Sequence, residues 1–156
     1  MKSSELFGVL TVFLGLFVLS ECGSSRHLLR QKRYIGQFGD MIRLAVQREA
    51  LHYNNYGNHC GFQGGELPIV DEVDRCCFNH DRCYDAADAG PCSSSWFGAS
   101  YVRYDWRWDG QQLHCGASDD PCRRTACECD VTAVECFARH PWNAANKKQS
   151  VWDIFA

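Results

Sequence analysis

Three side chains of this sequence could form a site for proton transfer. His80 lies in a cysteine-rich segment four residues before Tyr84, and Asp130 directly follows Cys129 in a second cysteine-rich segment. A carboxylate that accepts a hydrogen bond from an imidazole N–H fixes the tautomer and the orientation of the ring. His80 would then act as a general base. The alternative is a satisfied polar network without chemistry, since a buried carboxylate needs a partner in any case.

The spacing of the cysteines predicts how these residues meet. Cys76 and Cys83 are seven residues apart, as are Cys129 and Cys136, so each pair shares one face of a helix. In antiparallel helices the numbers of contacting residues add to a constant. Cys76 with Cys136 and Cys83 with Cys129 both give 212. Sequence alone does not establish connectivity, but the spacing favours two antiparallel helices with His80 in their seam.

Asp81 indicates a metal site beside the histidine. If Cys60 is tied to Cys77, Asp81 faces a glycine-rich loop, residues 56–65. One carboxylate and several loop carbonyls suit a hard cation, so we expect calcium. The alternative is a zinc site, which would use Cys76, Cys77, His80 and Cys83. In an oxidising compartment these thiols should instead be paired in disulfides.

Three helices are predicted to position these residues. The first covers residues 35–50 and has an apolar stripe formed by Ile35, Phe38, Ile42 and Ala45. The second covers 72–87, with Asp71 as N-cap and Gly90-Pro91 at its end. The third covers 122–140, with Asp120 as cap, Pro121 at its first position and Pro141 as its stop.

A hairpin is predicted between the second and third helices, over residues 96–115. Val102, Tyr104, Trp106 and Trp108 alternate with polar residues, and Asp109-Gly110 is a strong turn signal. The tail from Pro141 to Ala156 is less determined, and its aromatic residues suggest that it docks onto the domain or onto a partner.

The N-terminal part of the chain is interpreted as a secretory leader. Lys2 precedes an apolar run from Leu6 to Leu19, which is shorter than a membrane anchor requires. We expect a signal peptide over residues 1–22 and a propeptide over 23–33 that ends at a dibasic site. The domain then covers residues 34–156. The alternative interpretation of 30–33 is a solvated basic patch.

Charge and cysteine content restrict the class of protein. The chain from residue 34 onward holds 11 of the 16 Lys and Arg and 17 of the 19 Asp and Glu, a net charge of −6. This charge disfavours nucleic acid and gives no attraction to anionic membranes. Ten of the eleven cysteines lie in this part, which predicts five disulfides and an extracellular location.

The motifs resemble those of secreted phospholipases A2. The loop residues Tyr56-Gly57, Cys60-Gly61, Gly64 and Pro68 look like the calcium loop of that family. The second half is similar too, through Cys127-Glu128-Cys129-Asp130 and Cys136-Phe137. The most specific match is the segment Asp74-Arg75-Cys76-Cys77-Phe78-Asn79-His80-Asp81-Arg82-Cys83-Tyr84. The resemblance runs from about Tyr34 to Arg139.

The resemblance implies a fold and a set of bridges. The fold is a small, mainly α, disulfide-rich secreted domain, with two long antiparallel helices stapled by disulfides, an N-terminal helix, a calcium loop and a small β-hairpin. Cysteine is absent from Leu44, Asn58 and Trp108, positions that often hold it in the family. The implied pairs are Cys60–Cys77, Cys76–Cys136, Cys83–Cys129, Cys92–Cys122 and Cys115–Cys127.

The resemblance also implies an activity, calcium-dependent hydrolysis of the sn-2 ester of glycerophospholipids at a membrane or aggregate surface. His80 is the base that activates water, Asp130 orients it, and Tyr84 and Tyr104 support Asp130. The N–H of Gly61 stabilises the oxyanion. The calcium ligands would be Asp81 and the backbone carbonyls of His59, Gly61 and Gln63.

The resemblance has one departure in the calcium loop, and it supports the processing site. Gln63 falls where the third calcium carbonyl is usually carried by glycine, so Gly64 is the alternative ligand. Cleavage after Arg33 places Gln37 and Phe38 at the fourth and fifth positions, as in the family, where the free amino terminus joins the hydrogen-bond network of the site.

Two other functions stay open from the sequence. One is a toxin or receptor ligand on the same scaffold that has lost turnover, and Gln63 is the only residue that favours this interpretation. The other is a purely structural disulfide-rich protein, which would not explain Asp130 in the seam. Biological role, head-group preference and oligomeric state are not indicated by the sequence.

Overall fold

The computed structural model describes residues 34–61, 66–118 and 120–149. They form helix α1 (Tyr34–Ala45), helix α2 (Glu72–Ala89), strands β1 (Trp106–Trp108) and β2 (Leu113–Cys115) and helix α3 (Pro121–Arg139). Short 3-10 helices cover Ala50–His52, Ala99–Tyr101 and Ala144–Asn146. The predicted leader and propeptide lie outside the described residues. Within these residues, no helix has both the length and the apolar character needed to cross a membrane.

Helices α2 and α3 form the centre of the fold. Each begins at a predicted cap, because the Asp71 side chain accepts from the Asp74 N–H and the Asp120 side chain accepts from the Cys122 N–H. Cys76–Cys136 and Cys83–Cys129 join them in antiparallel order, which confirms the prediction from spacing. Both helices match their predicted ranges to within two residues.

Helix α1 is shorter than the sequence pattern predicts. It ends at Ala45 instead of Ala50, because Gln47 takes a left-handed backbone conformation with φ 55°, which an α-helix does not allow. Met41 and Ile42 of its apolar face are buried, and the helix packs mainly against α3. The chain then turns through the 3-10 helix at Ala50–His52 toward the glycine-rich loop.

The predicted hairpin is correct in position but too long. Its strands pair antiparallel only over Trp106–Trp108 and Leu113–Cys115, across the Asp109-Gly110 turn. Residues 96–105 form turns and a 3-10 helix instead, because the Asp88 side chain accepts from the Ala99 N–H and holds this segment against the end of α2. The predicted alternation is confirmed, since Tyr104 is buried while Arg103 is exposed.

The remaining three disulfides are also those that the resemblance implies. Cys60–Cys77 ties the glycine-rich loop to α2, and Cys92–Cys122 ties the end of α2 to the start of α3. Cys115–Cys127 joins β2 to α3. The framework therefore fixes both helices and the loop around one seam, which is the fold class predicted from the sequence.

Candidate active site

His80 and Asp130 meet in the seam between α2 and α3. Nε2 of His80 lies 2.7 Å from Oδ1 of Asp130, and the Asp130 side chain is only 1% exposed. A carboxylate so far from solvent needs donors, and the imidazole N–H is one of them. With Nε2–H donating to Asp130, Nδ1 keeps its lone pair and can accept a proton. The pair thus has the arrangement of an oriented general base.

Two tyrosines complete the hydrogen bonding of Asp130. The Tyr84 hydroxyl donates to Oδ1 at 2.5 Å, and the Tyr104 hydroxyl donates to Oδ2. Burial, and then the neighbouring Asp130 carboxylate, raises the pKa of both tyrosines far above the ordinary value. Both therefore stay neutral and remain donors. Three donors on one buried carboxylate compensate for its loss of water and fix its position beside His80.

Helix α1 supplies a second layer around this network. The ring of Phe38 stacks on His80 with centroids 4.4 Å apart, and the ring of Tyr84 lies at the same centroid distance, tilted by 48°. The Gln37 side chain donates to the Tyr104 carbonyl. The imidazole thus contacts two aromatic rings, and only 11% of its side chain is exposed.

Asp81 has the environment of a metal ligand. Burial raises the pKa of its carboxyl, with His80 and His59 acting in the opposite direction. Among the described residues, no donor forms a hydrogen bond or an ion pair with this carboxylate. A partly desolvated carboxylate without a donor is unfavourable, and a bound cation would relieve this.

Carbonyl oxygens of the glycine-rich loop are the other ligands that the sequence predicts. No described donor bonds to the carbonyl of His59 or of Gly61, although Cys60 between them accepts from the Asn55 N–H at 2.9 Å. Gly61 has φ +102°, a conformation that side chains oppose. Two unpaired carbonyls and a carboxylate are all oxygen ligands, so this donor set fits calcium and does not fit zinc.

The loop is closed at its base by a neck of hydrogen bonds. Asp74 is fully buried, and its Oδ1 accepts from the N–H groups of Asn58 and His59 while Oδ2 accepts from Val70 N–H. Nε2 of the His59 ring lies 2.9 Å from the Leu67 carbonyl. These bonds join the first part of the loop, at Asn58 and His59, to the chain that follows the loop.

The predicted site residues fall into three groups. The structure brings His80, Asp130, Tyr84 and Tyr104 into contact, and it places Asp81 beside His80 and His59. Gly61 adjoins this site in the loop. Gln63, and Gly64 as its alternative, lie outside the described residues. The three cysteines of the zinc interpretation, Cys76, Cys77 and Cys83, are all in disulfides, so that interpretation is wrong.

Sequence reasoning missed the roles of Asp74 and Phe38. Asp74 stood three residues after the N-cap, so it was assigned only to the start of α2, whereas its side chain in fact anchors the loop. The close approach of Gly57 to Asp74 was missed as well. A Cβ at position 57 would come within 2.3 Å of the Asp74 side chain. The Phe38 contact had a usable signal, because Phe38 belongs to the apolar stripe of α1.

Comparisons with known proteins agree with this geometry. The sequence profile of the family described as Phospholipase A2 matches residues 35–148. Two proteins of Scolopendra dehaani named phospholipase A2 are 34% and 37% identical, over 81% and 70% of this chain and 86% and 74% of their own lengths. A mouse protein named phospholipase A2, membrane associated, is 38% identical over 78% of this chain and 80% of its own length.

Proposed function

The chain belongs to the phospholipase A2 family and is a phospholipid-hydrolysing enzyme, and on that basis we propose that it cleaves the sn-2 ester in a calcium-dependent reaction with His80 as the base. The products would be a fatty acid and a lysophospholipid. The observation that carries the proposal is the contact between Nε2 of His80 and buried Asp130, which leaves Nδ1 as the ring nitrogen that can accept a proton.

The chain's own residues account for the proton transfers. A water molecule attacks the ester carbonyl carbon while its proton moves to Nδ1 of His80. Asp130 stabilises the imidazolium that forms, and the two tyrosine hydroxyls keep Asp130 in place. When the tetrahedral species collapses, the proton passes from Nδ1 to the leaving glycerol oxygen. The ester bond breaks and His80 returns to its neutral form.

The oxygen ligands described above would hold the metal. Asp81 contributes its carboxylate, and His59, Gly61 and Gln63, or Gly64 in its place, contribute carbonyls. Calcium bound there supplies polarisation of the ester carbonyl and attraction for the phosphate. The Gly61 N–H is proposed as an additional donor to the developing oxyanion.

The proposed enzyme is secreted and acts at a phospholipid surface. The five disulfides support an oxidising, extracellular location. The active form is proposed to be residues 34–156, released after Arg33, so that the new amino terminus at Tyr34 begins α1 and adjoins Gln37 and Phe38. N-terminal sequencing of the secreted protein tests this point.

Fatty-acid release from phosphatidylcholine vesicles tests the activity. Substrates labelled separately at the sn-1 and sn-2 chains should release only the sn-2 label, with calcium present and not in excess chelator. Release of sn-1 label, or equal rates in chelator, would contradict the proposal. If no fatty acid is released although the protein binds vesicles and calcium, the non-catalytic ligand interpretation gains support.

A further inference from the structure

The segment after α3 forms an ordered strap across the glycine-rich loop. We define the C-terminal strap as residues 142–148. Its backbone pairs with the chain that enters the loop, because Gly57 N–H donates to the Asn146 carbonyl at 2.8 Å and Lys148 N–H donates to the Asn55 carbonyl at 3.0 Å. A β-bridge joins Tyr56 to Lys147. The C-terminal strap is therefore built into the base of the loop.

Side chains of the strap add contacts on both sides of this pairing. The Asn146 side chain donates to Asp71, the N-cap of α2, at 2.7 Å. Lys147 Nζ donates to the Asn54 carbonyl. The Trp142 indole donates to the His52 carbonyl, and the Arg48 guanidinium lies 4.7 Å from the centre of its ring. These contacts anchor the strap at both ends.

Asn58 connects the strap to the far arm of the loop. Its Oδ1 accepts from Lys148 Nζ at 2.9 Å, and its Nδ2 donates to the Pro68 carbonyl at 2.7 Å. The opposite orientation of this amide would set Nδ2 against a cation and Oδ1 against a carbonyl oxygen, so the two partners fix the amide in one orientation. Lys148 thereby holds Asn58 in the orientation that bridges to Pro68.

The strap also acts on the proposed ligands indirectly, through backbone hydrogen bonds of the residues it contacts. The Asn55 N–H donates to the Cys60 carbonyl, and the Cys60 N–H donates to the Tyr56 carbonyl. Cys60 stands between His59 and Gly61, so the strapped chain at Asn55 and Tyr56 sets the backbone from which those two carbonyls project. A loop held in this way loses less entropy when a cation is bound.

We infer that the C-terminal strap is a positioning element for the metal site, and that Asn146 and Lys148 raise calcium affinity by holding the backbone of residues 55–61, which carries the proposed ligands His59 and Gly61. The inference rests on the proposed calcium site. It assigns no contact with substrate to the strap, so its effect should appear in calcium affinity and not in the rate at saturating calcium.

Calorimetric titration with calcium chloride, without lipid, tests the inference. The double variant Asn146→Ala, Lys148→Met should bind calcium about tenfold more weakly, because it loses two side-chain hydrogen bonds, one of them from a charged donor. Lys148→Arg keeps a cationic donor and should bind close to wild type. Gln149→Met, at the exposed neighbouring position, is the matched control.

Three further readouts separate a positioning role from a merely structural one. The thermal midpoint of the double variant in chelator should move little, amide exchange at His59 should become faster, and the hydrolysis rate should recover at saturating calcium. Unchanged calcium affinity, or a fall in thermal midpoint without a fall in affinity, would overturn the inference. If the double variant does not fold, the calcium affinity of Lys148→Met alone is compared with that of wild type in the same titration. Failure of the wild type to bind calcium would reject the proposed function instead.

Discussion

The proposed proton-transfer role of His80 rests on its two ring nitrogens having different surroundings. Nε2 bonds to Asp130, and the rings of Phe38 and Tyr84 contact the imidazole. His80→Gln should keep a donor to Asp130 through the new amide but lose the basic nitrogen. We expect turnover to fall by about 10²–10⁴-fold, with unfolding and calcium titration close to wild type. Retention of more than a tenth of the wild-type rate would exclude His80 as the base.

Asp81 gives a second prediction at the scale of single residues. Because burial raises the pKa of its carboxyl, the ionised form is disfavoured in the calcium-free fold. When the pKa of a carboxyl is higher in the folded than in the unfolded protein, its ionisation at neutral pH destabilises the fold. Asp81→Asn should therefore leave the calcium-free protein as stable as wild type or more stable at neutral pH. Calcium should no longer raise the thermal midpoint, whereas it should stabilise wild type by about 2.7 kcal/mol at 100 times Kd.

The comparison that decides this second prediction is thermal unfolding of both proteins in chelator and in calcium. Asp85→Asn is a matched control, since Asp85 acts on Asp81 through its charge but is itself exposed. A calcium-dependent shift that persists in Asp81→Asn would place the cation elsewhere.

At the scale of elements, the neck between the loop and α2 depends on Gly57. Its φ is +59°, and a Cβ would lie 2.3 Å from the Asp74 side chain. Gly57→Ala must therefore displace a carboxylate that accepts from Asn58 and His59. We expect a loss of about 3 kcal/mol or more in the free energy of unfolding, together with weaker calcium binding.

Gly110→Ala is the control for this substitution. Gly110 also has a positive φ, +100°, but no heavy atom lies within 4 Å of a Cβ placed there. It should show the backbone strain alone, about 1–2 kcal/mol by denaturant unfolding, and unchanged calcium affinity. Equal losses of stability and affinity in the two variants would mean that the neck has no part in the metal site.

The elements themselves were largely predictable from sequence because their signals are local. Caps at Asp71 and Asp120 and the seven-residue spacing of cysteines each depend on a few neighbouring positions, and both helices and two bridges follow from them. The predicted end of α1 was wrong because Gln47 adopts a left-handed conformation, and the sequence there has no glycine or other typical turn residue that would indicate it. The neck was not predictable, because Asp74 meets the loop through tertiary contacts between segments 15 or more residues apart.

The same distinction applies to the site. His80, Tyr84 and Asp130 could be placed together because helical period and disulfide spacing put them in one seam, and Tyr104 was added by resemblance. Asn58 was noted only as a position without cysteine. Its role as a bridge between Lys148 and Pro68 depends on where the tail docks, and the tail carries no periodic signal.

At the scale of the whole molecule, the exposed aromatic residues bear on how the enzyme reaches lipid. We name Trp96, Phe97 and Tyr101 the aromatic patch; they are 90%, 74% and 45% exposed, and the rings of Phe97 and Tyr101 lie 6.0 Å apart. Trp106, Trp108 and Trp142 pack against the core instead, and Trp152 lies outside the described residues. Tryptophan favours the lipid–water boundary, and the net charge of −6 from residue 34 onward gives little attraction to anionic lipid.

We therefore expect binding to zwitterionic vesicles that persists at high salt and depends on the aromatic patch. Trp96→Ser, Phe97→Ser should weaken vesicle binding by at least about tenfold in a co-sedimentation assay, since two large apolar side chains no longer leave water. Leu51→Ser is the control, because Leu51 is 65% exposed but lies outside the patch. Binding that needs anionic lipid and disappears as salt rises would show that basic residues such as Arg123-Arg124 govern docking instead.

Helix α2 also limits how the length of this sequence can change. It carries the loop anchor Asp74, the proposed base His80, the proposed metal ligand Asp81 and Tyr84 within one unbroken helix. One residue inserted between Cys77 and His80 would rotate everything after it by about 100° and advance it by about 1.5 Å. Asp74 would still bind the loop through its hydrogen bonds to Asn58 and His59, but His80 would turn away from Asp130. Insertions and deletions that preserve activity should therefore fall in the loop or in residues 90–105, and never between Asp74 and Tyr84.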